Sequence, residues 1–128
     1  PFDLSALAAD VAERLDRFDV TGALDAVWDG VRGLNQYVTA EAPWQLAKDE
    51  SNAARLDGVL YNLVDGLTAL AVALAPFLPE TAPKILAALG QPADLDWGRV
   101  RNGVAVETGG IAASEPLFPR IELPSAAA

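Results

Sequence analysis

The sequence contains no cysteine and no histidine among its 128 residues. That excludes a disulfide framework, a zinc site of the Cys/His kind, and any nucleophilic or acid/base arrangement built on thiol or imidazole. Cations are scarce as well: nine Lys plus Arg stand against eighteen Asp plus Glu, for a net charge of −9. Proteins that bind nucleic acid broadly do so by neutralising phosphates with a basic stripe, so this balance argues against a general nucleic-acid binder. The carboxylates are spread along helix faces as a solvated surface, and no two stand apart as a catalytic pair. No glycine-rich phosphate loop follows a strand, which leaves nothing in the chain to hold ATP. No apolar run approaches the roughly 20 residues of a membrane span, and no basic segment leading into an apolar one opens the chain. The expectation is a chain without metal, cofactor, membrane or DNA partner. Its start at Pro1 reads as that of a piece cut from something longer.

What is present is a 52% apolar composition, ample for one packed domain of common size. The periodicity is helical. Leu4, Leu7, Ala8, Val11, Leu15 and Phe18 mark a first helix over residues 3–18, capped by Asp3 or Ser5. After a short link, Leu24, Val27, Trp28, Val31, Leu34 and Val38 form the stripe of a second helix with Thr21 available as its cap. Gly22, Gly30 and Gly33 inside that helix mean either close approach by a neighbour or a tolerated loss of helix propensity. Ser51 or Asn52 precedes a third helix from Ala53 to about Ala75, apolar on so wide a face that it belongs at the centre. Pro76 and Pro79 separate it from a short fourth helix over residues 80–89 that stops at Gly90. The fold class expected is therefore all-α, an up-and-down bundle of four to five helices over residues 1–90. Residues 91–128 form an irregular C-terminal extension, in which Trp97 lies over the end of the bundle. Residues 103–106 and 117–121 are candidates for a short two-stranded pairing.

The join between the second and third helices carries the chemistry. Pro43 drives Ala42 out of the right-handed helical region, ends the long helix near Glu41 and suits the first position of a new one. Trp44 therefore sits on a corner beside a helix N-terminus, where a flat aromatic and outward backbone N–H groups can hold an unstacked nucleotide. On residues alone, an apolar filler of that corner is the favoured role for Trp44, because buried aromatics are far commoner than base platforms. Asn35 and Arg32 share a helix side and can meet base edges or phosphate, or can be a loop-bonded amide and a solvated guanidinium. Tyr37 points elsewhere than Asn35. Lys48 is a candidate phosphate contact or the partner of Glu41 or Asp49. Trp28, in mid-stripe, reads as core.

Asn35, Tyr37, Ala42, Pro43, Trp44, Ala47 and Lys48 together resemble the Asn-x-Tyr and Ala-Pro-Trp-x-x-Ala-Lys pattern of the anticodon-binding domain of methionyl-tRNA synthetases. Pro76-Phe77-Leu78-Pro79-Glu80-Thr81-Ala82, with Ile85 and Leu89-Gly90, resembles that family's closing helix, and Pro116-Leu117-Phe118-Pro119-Arg120-Ile121 resembles its tail. The three segments occur in the family's order and cover most of residues 10–122. The resemblance implies that Trp44 stacks on a base of the CAU anticodon of tRNA(Met) and that Pro43 shapes the corner. It also implies a cytoplasmic parent enzyme, a methionine-tRNA ligase using ATP on a catalytic domain absent here, so that this piece recognises RNA without catalysing. The tail, with Arg120 as an anchor, would return toward that domain. The family's lysine-bearing turn is replaced here by Thr108-Gly109-Gly110-Ile111-Ala112-Ala113. The rivals are a protein-interaction bundle that never meets RNA, favoured by the −9 charge, and the equivalent domain of a sibling class I synthetase.

Overall fold

A computed structural model describes residues 3–102, 107 and 110–122. Asp3 caps the first helix, α1 (Leu4–Asp16), by accepting from the Ala6 amide at 2.9 Å. The helix closes with Phe18 at φ 60°, its amide bonded to the Leu15 carbonyl and that of Asp19 to Arg14, both at 2.9 Å. This is the closure that glycine usually makes. Asp19 is also the cap of α2 (Val20–Glu41), accepting from Gly22 at 2.9 Å. Thr21, expected as that cap, falls inside the helix because α2 begins one residue before it.

Ala42 follows α2 in the left-handed region, and α3 (Pro43–Leu46) is a single turn. The third long helix is entered through a 3-10 turn, Glu50–Asn52, opened by the Asp49 carboxylate on the Ser51 amide at 2.9 Å. Neither Ser51 nor Asn52 supplies the side-chain cap, because the turn moves the start of the hydrogen-bonded run back to Asp49. α4 (Ala53–Leu74) and α5 (Thr81–Ala88) then match the expected spans closely, with Gly90 at φ 66° closing α5. A short helix absent from the sequence expectation, α6 (Gly98–Asn102), starts after Asp96 accepts from the Gly98 amide at 2.7 Å.

α4 is the hub. It packs against α1, α2, α3, α5 and α6, and α6 also packs on α1. Val59, Ala69, Leu70, Val72 and Ala73 of α4 are buried with Ala8 and Val11 of α1, Ala23, Val27 and Leu34 of α2, and Val100 of α6. Trp97, just before α6, lies half-buried against this core, as expected of a residue covering the end of the bundle. Residues 50–74 are long and apolar enough to cross a membrane by length and composition. Their position among five other helices accounts for that composition as a core helix. Thr68 is fully buried on α4, and its hydroxyl has no partner among the described residues.

Close approach explains one glycine and not another. A Cβ at Gly30 would lie 2.9 Å from Leu70 Cδ2 and 3.1 Å from Leu7 Cδ2, where three helices meet, whereas Gly33 has nothing within 4 Å. Trp28 is not core: it is 47% exposed. At 3.6 residues per turn it lies about 160° around α2 from Gly30, the residue held against α4, so it belongs to the outer face.

Beyond α6 the chain is bonded back to the end of the bundle through Gln91. Gln91, buried, donates from Nε2 to the Glu107 carbonyl at 3.0 Å and accepts from the Glu107 amide at 3.2 Å. The Ala112 amide reaches the Ala88 carbonyl at 3.3 Å. Of the expected two-stranded pairing, residues 103–106 lie outside the described residues. Residues 117–121 are irregular, and no strand occurs among the described residues.

Candidate nucleic-acid interface

The corner is built by Ala42. Its amide ends α2 on the Val38 carbonyl at 3.0 Å, and its carbonyl accepts from Gln45 at 2.7 Å and from Leu46 at 3.3 Å. At φ 41° and ψ 62° it avoids the right-handed helical region that a following proline disfavours. Pro43 is half-buried in the fold of the corner, and Trp44 stands out from it with 54% of its surface exposed. An indole so exposed is free to accept a stacked base on its face. The helix-end contribution expected for this site is small. α3 is one turn long, Pro43 has no N–H, and the amides of Gln45 and Leu46 are already bonded to Ala42.

Arg32 and Asn35 are both exposed on the outer face of α2. Arg32 Nη2 is paired with Asp29 Oδ1 on the preceding turn. The Asn35 side chain lines a shallow depression of about 380 Å³ with Gln36, Thr39 and Ala40, while its carbonyl accepts from Thr39 Oγ1 at 2.9 Å. Asn35 and Glu41, the last residue before the corner, are separated by about 9 Å of helix axis. The depression does not include Trp44 or Pro43. Gln36 and Thr39 were not singled out from sequence. Their spacing from Arg32 and Asn35, four residues in each case, was the available signal.

Lys48 extends from the turn after α3, its Nζ 2.8 Å from Gln45 Oε1. It pairs with neither Glu41 nor Asp49. Glu41 is engaged by Arg55 of α4 at 2.9 Å, and Asp49 is engaged by Ser51. The Ser51 backbone and side-chain bonds hold the Asp49 carboxyl below its ordinary value. Tyr37 is half-buried, and its Oη accepts from Asn62 Nδ2 of α4 at 3.0 Å. Of the Asn35 and Tyr37 pair, then, Tyr37 faces inward and Asn35 outward.

The arrangement offers a flat aromatic at a corner, an amide-bearing face running up α2, and two cations held only by single surface contacts. No group of three or more acidic residues fit to hold a metal occurs among the described residues.

Residues 3–123 match the family profile described as the anticodon binding domain of methionyl tRNA ligase. The chain is 39% identical to the methionine–tRNA ligase of Clostridium acetobutylicum over 131 residues, covering 94% of this chain and 19% of that protein. It is 37% identical to that of Caldanaerobacter subterraneus subsp. tengcongensis, covering 91% and 18%. For that of Streptomyces coelicolor the identity is 36%, covering 84% and 22%. The chain thus spans about a fifth of the length of the curated relatives it matches.

Proposed function

Because the chain belongs to the family of anticodon-binding domains of methionyl-tRNA ligases, we propose that it reads the CAU anticodon loop of tRNA(Met) for a parent ligase. Trp44 is the stacking platform in this reading and Pro43 fixes the corner that presents it. Asn35 and Arg32 meet base edges or phosphate from the α2 face, and Lys48 meets a phosphate beyond the platform. The exposure of Trp44 at a bonded, non-helical corner is the observation that carries it.

The chemistry belongs to the rest of the parent. Joining methionine to tRNA with ATP requires a nucleotide site, and this chain has no histidine, cysteine or phosphate loop with which to take part. The chain alone is accordingly inactive, and the parent is cytoplasmic. Residues 1–90 act as the recognition bundle and residues 91–128 as an extension that packs on it and on the catalytic domain. Ile111, Phe118 and Ile121, each more than half exposed, supply an apolar surface for that second contact.

The test is binding of the chain to a CAU stem-loop, with a scrambled loop and Trp44→Ala as comparisons. Loss of a base platform costs about 1–3 kcal/mol, so Trp44→Ala should weaken binding by about five- to 150-fold. Equal binding of both loops would mean RNA contact without anticodon reading, and no binding at low salt, where phosphate contacts are strongest, returns the chain to the protein-interaction reading.

A further inference from the structure

Two side-chain ties lie just ahead of the Ala42 corner, and both reach α4. Arg55 Nη2 donates to Oε2 of Glu41, the last residue of α2, at 2.9 Å across 14 positions of sequence. One turn earlier, Asn62 Nδ2 donates to Tyr37 Oη at 3.0 Å across 25 positions. The cations of the candidate interface are held differently: Arg32 and Lys48 each bond a residue three positions away in their own local segment. Among the described residues, the Tyr37 and Glu41 ties are the side-chain hydrogen bonds that connect the end of α2 to another element.

Between these ties and Trp44 stands Ala42 at φ 41° and ψ 62°. A residue with a Cβ avoids that region, and one found there persists only where its surroundings over-determine it. The Ala42 carbonyl holds the amides of Gln45 and Leu46, so the orientation of its peptide sets the direction of α3 and of the indole two residues on. Trp44, half exposed, has little burial of its own to hold it in place.

We infer that Tyr37–Asn62 and Glu41–Arg55 are positioning pairs that fix the Ala42 corner and thereby the orientation in which Trp44 meets a base. This rests on the reading of Trp44 as the platform. An exposed ion pair such as Glu41–Arg55 adds little to stability in general. Its effect here is on an angle.

The chain has three tryptophans, so 5-fluorotryptophan labelling gives three fluorine resonances, with Trp44 assigned by Trp44→Phe. In the RNA-free protein, Glu41→Gln and Arg55→Gln should each shift or broaden the Trp44 resonance, and the double variant should do no more. Tyr37→Phe should move the same resonance while Trp28 and Trp97 stay in place. Affinity for the CAU stem-loop should fall about three- to fivefold in Glu41→Gln and Arg55→Gln alike, without adding in the double variant. Charge acting without positioning gives another pattern. Losing a carboxylate would tighten RNA binding, losing a guanidinium would weaken it, and the two effects would add. That pattern, or a Trp44 resonance indifferent to all the substitutions, overturns the inference. If Trp44→Phe and Trp44→Ala leave affinity unchanged, the platform reading is what fails, and the RNA-free resonances still decide whether the ties hold the corner.

Discussion

Gly30 and Gly33 show how much a single residue's meaning depends on what faces it. They have the same propensity and lie in the same helix, and nothing in the sequence separates them. Only the arrival of Leu7 and Leu70 at Gly30 does. Gly33→Ala should therefore stabilise the chain by about 0.8–1 kcal/mol, the ordinary gain in a helix interior. Gly30→Ala must displace two packed leucine methyl groups from different helices. Overpacking of about 1–3 kcal/mol then cancels or exceeds that gain. The urea midpoint should rise in Gly33→Ala and stay in place or fall in Gly30→Ala. Trp28 teaches the same lesson from the other side. Apolar spacing placed it in the stripe, but its angle around α2 places it outside. The corner position of Trp44 was legible because Pro43 constrains the backbone whatever the packing.

Helix existence was plain from sequence, because apolar residues recur at three- and four-residue spacing whether or not their partners are known. Ends were less so. A cap depends on one hydrogen bond, and acidic or hydroxyl residues on either side compete for it. Asp19 and Asp49 prevailed over Thr21, Ser51 and Asn52, each by starting the bonded run earlier. The Asp49 contact carries a pH signature. Its carboxyl is held below its usual value by Ser51, so the folded state binds the proton less readily than the unfolded state. The stabilisation is present above the unfolded value, about 4, and is lost as pH falls through the lower folded value. Thermal melts should show a gap between the native chain and Asp49→Ala at pH 7 that narrows toward pH 3. A gap that widens on acidification would contradict this assignment. α6 escaped notice for a related reason: a five-residue helix has too few turns to show a period, and burial of Val100 against α1 and α4 supplies what propensity lacks.

At the scale of the molecule, the bundle was legible and the path of the extension was not. Gln91 and Glu107 are joined by bonds between residues far apart in sequence, and such contacts leave no local pattern. Gln91→Ala leaves a backbone donor and acceptor of Glu107 without their partner. Limited proteolysis should then cut beyond Asn102 sooner than in the native chain, with the core helices still protected. Unchanged cleavage would mean that the Ala112 to Ala88 bond and apolar packing hold the extension alone. In the proposed reading, the −9 charge would concentrate RNA contact on the few places where aromatic and amide groups stand clear.

The central place of α4 has one more consequence. Every other helix rests on it directly, and α1, α2 and α6 share its buried residues, so none of them can detach without baring a face of α4 to water. Such an arrangement has no separable half. Loss of order should spread through the helices as one all-or-none event, and the last amides to surrender their protons to solvent should be those of residues 68–73, where the helix is closed in on every side.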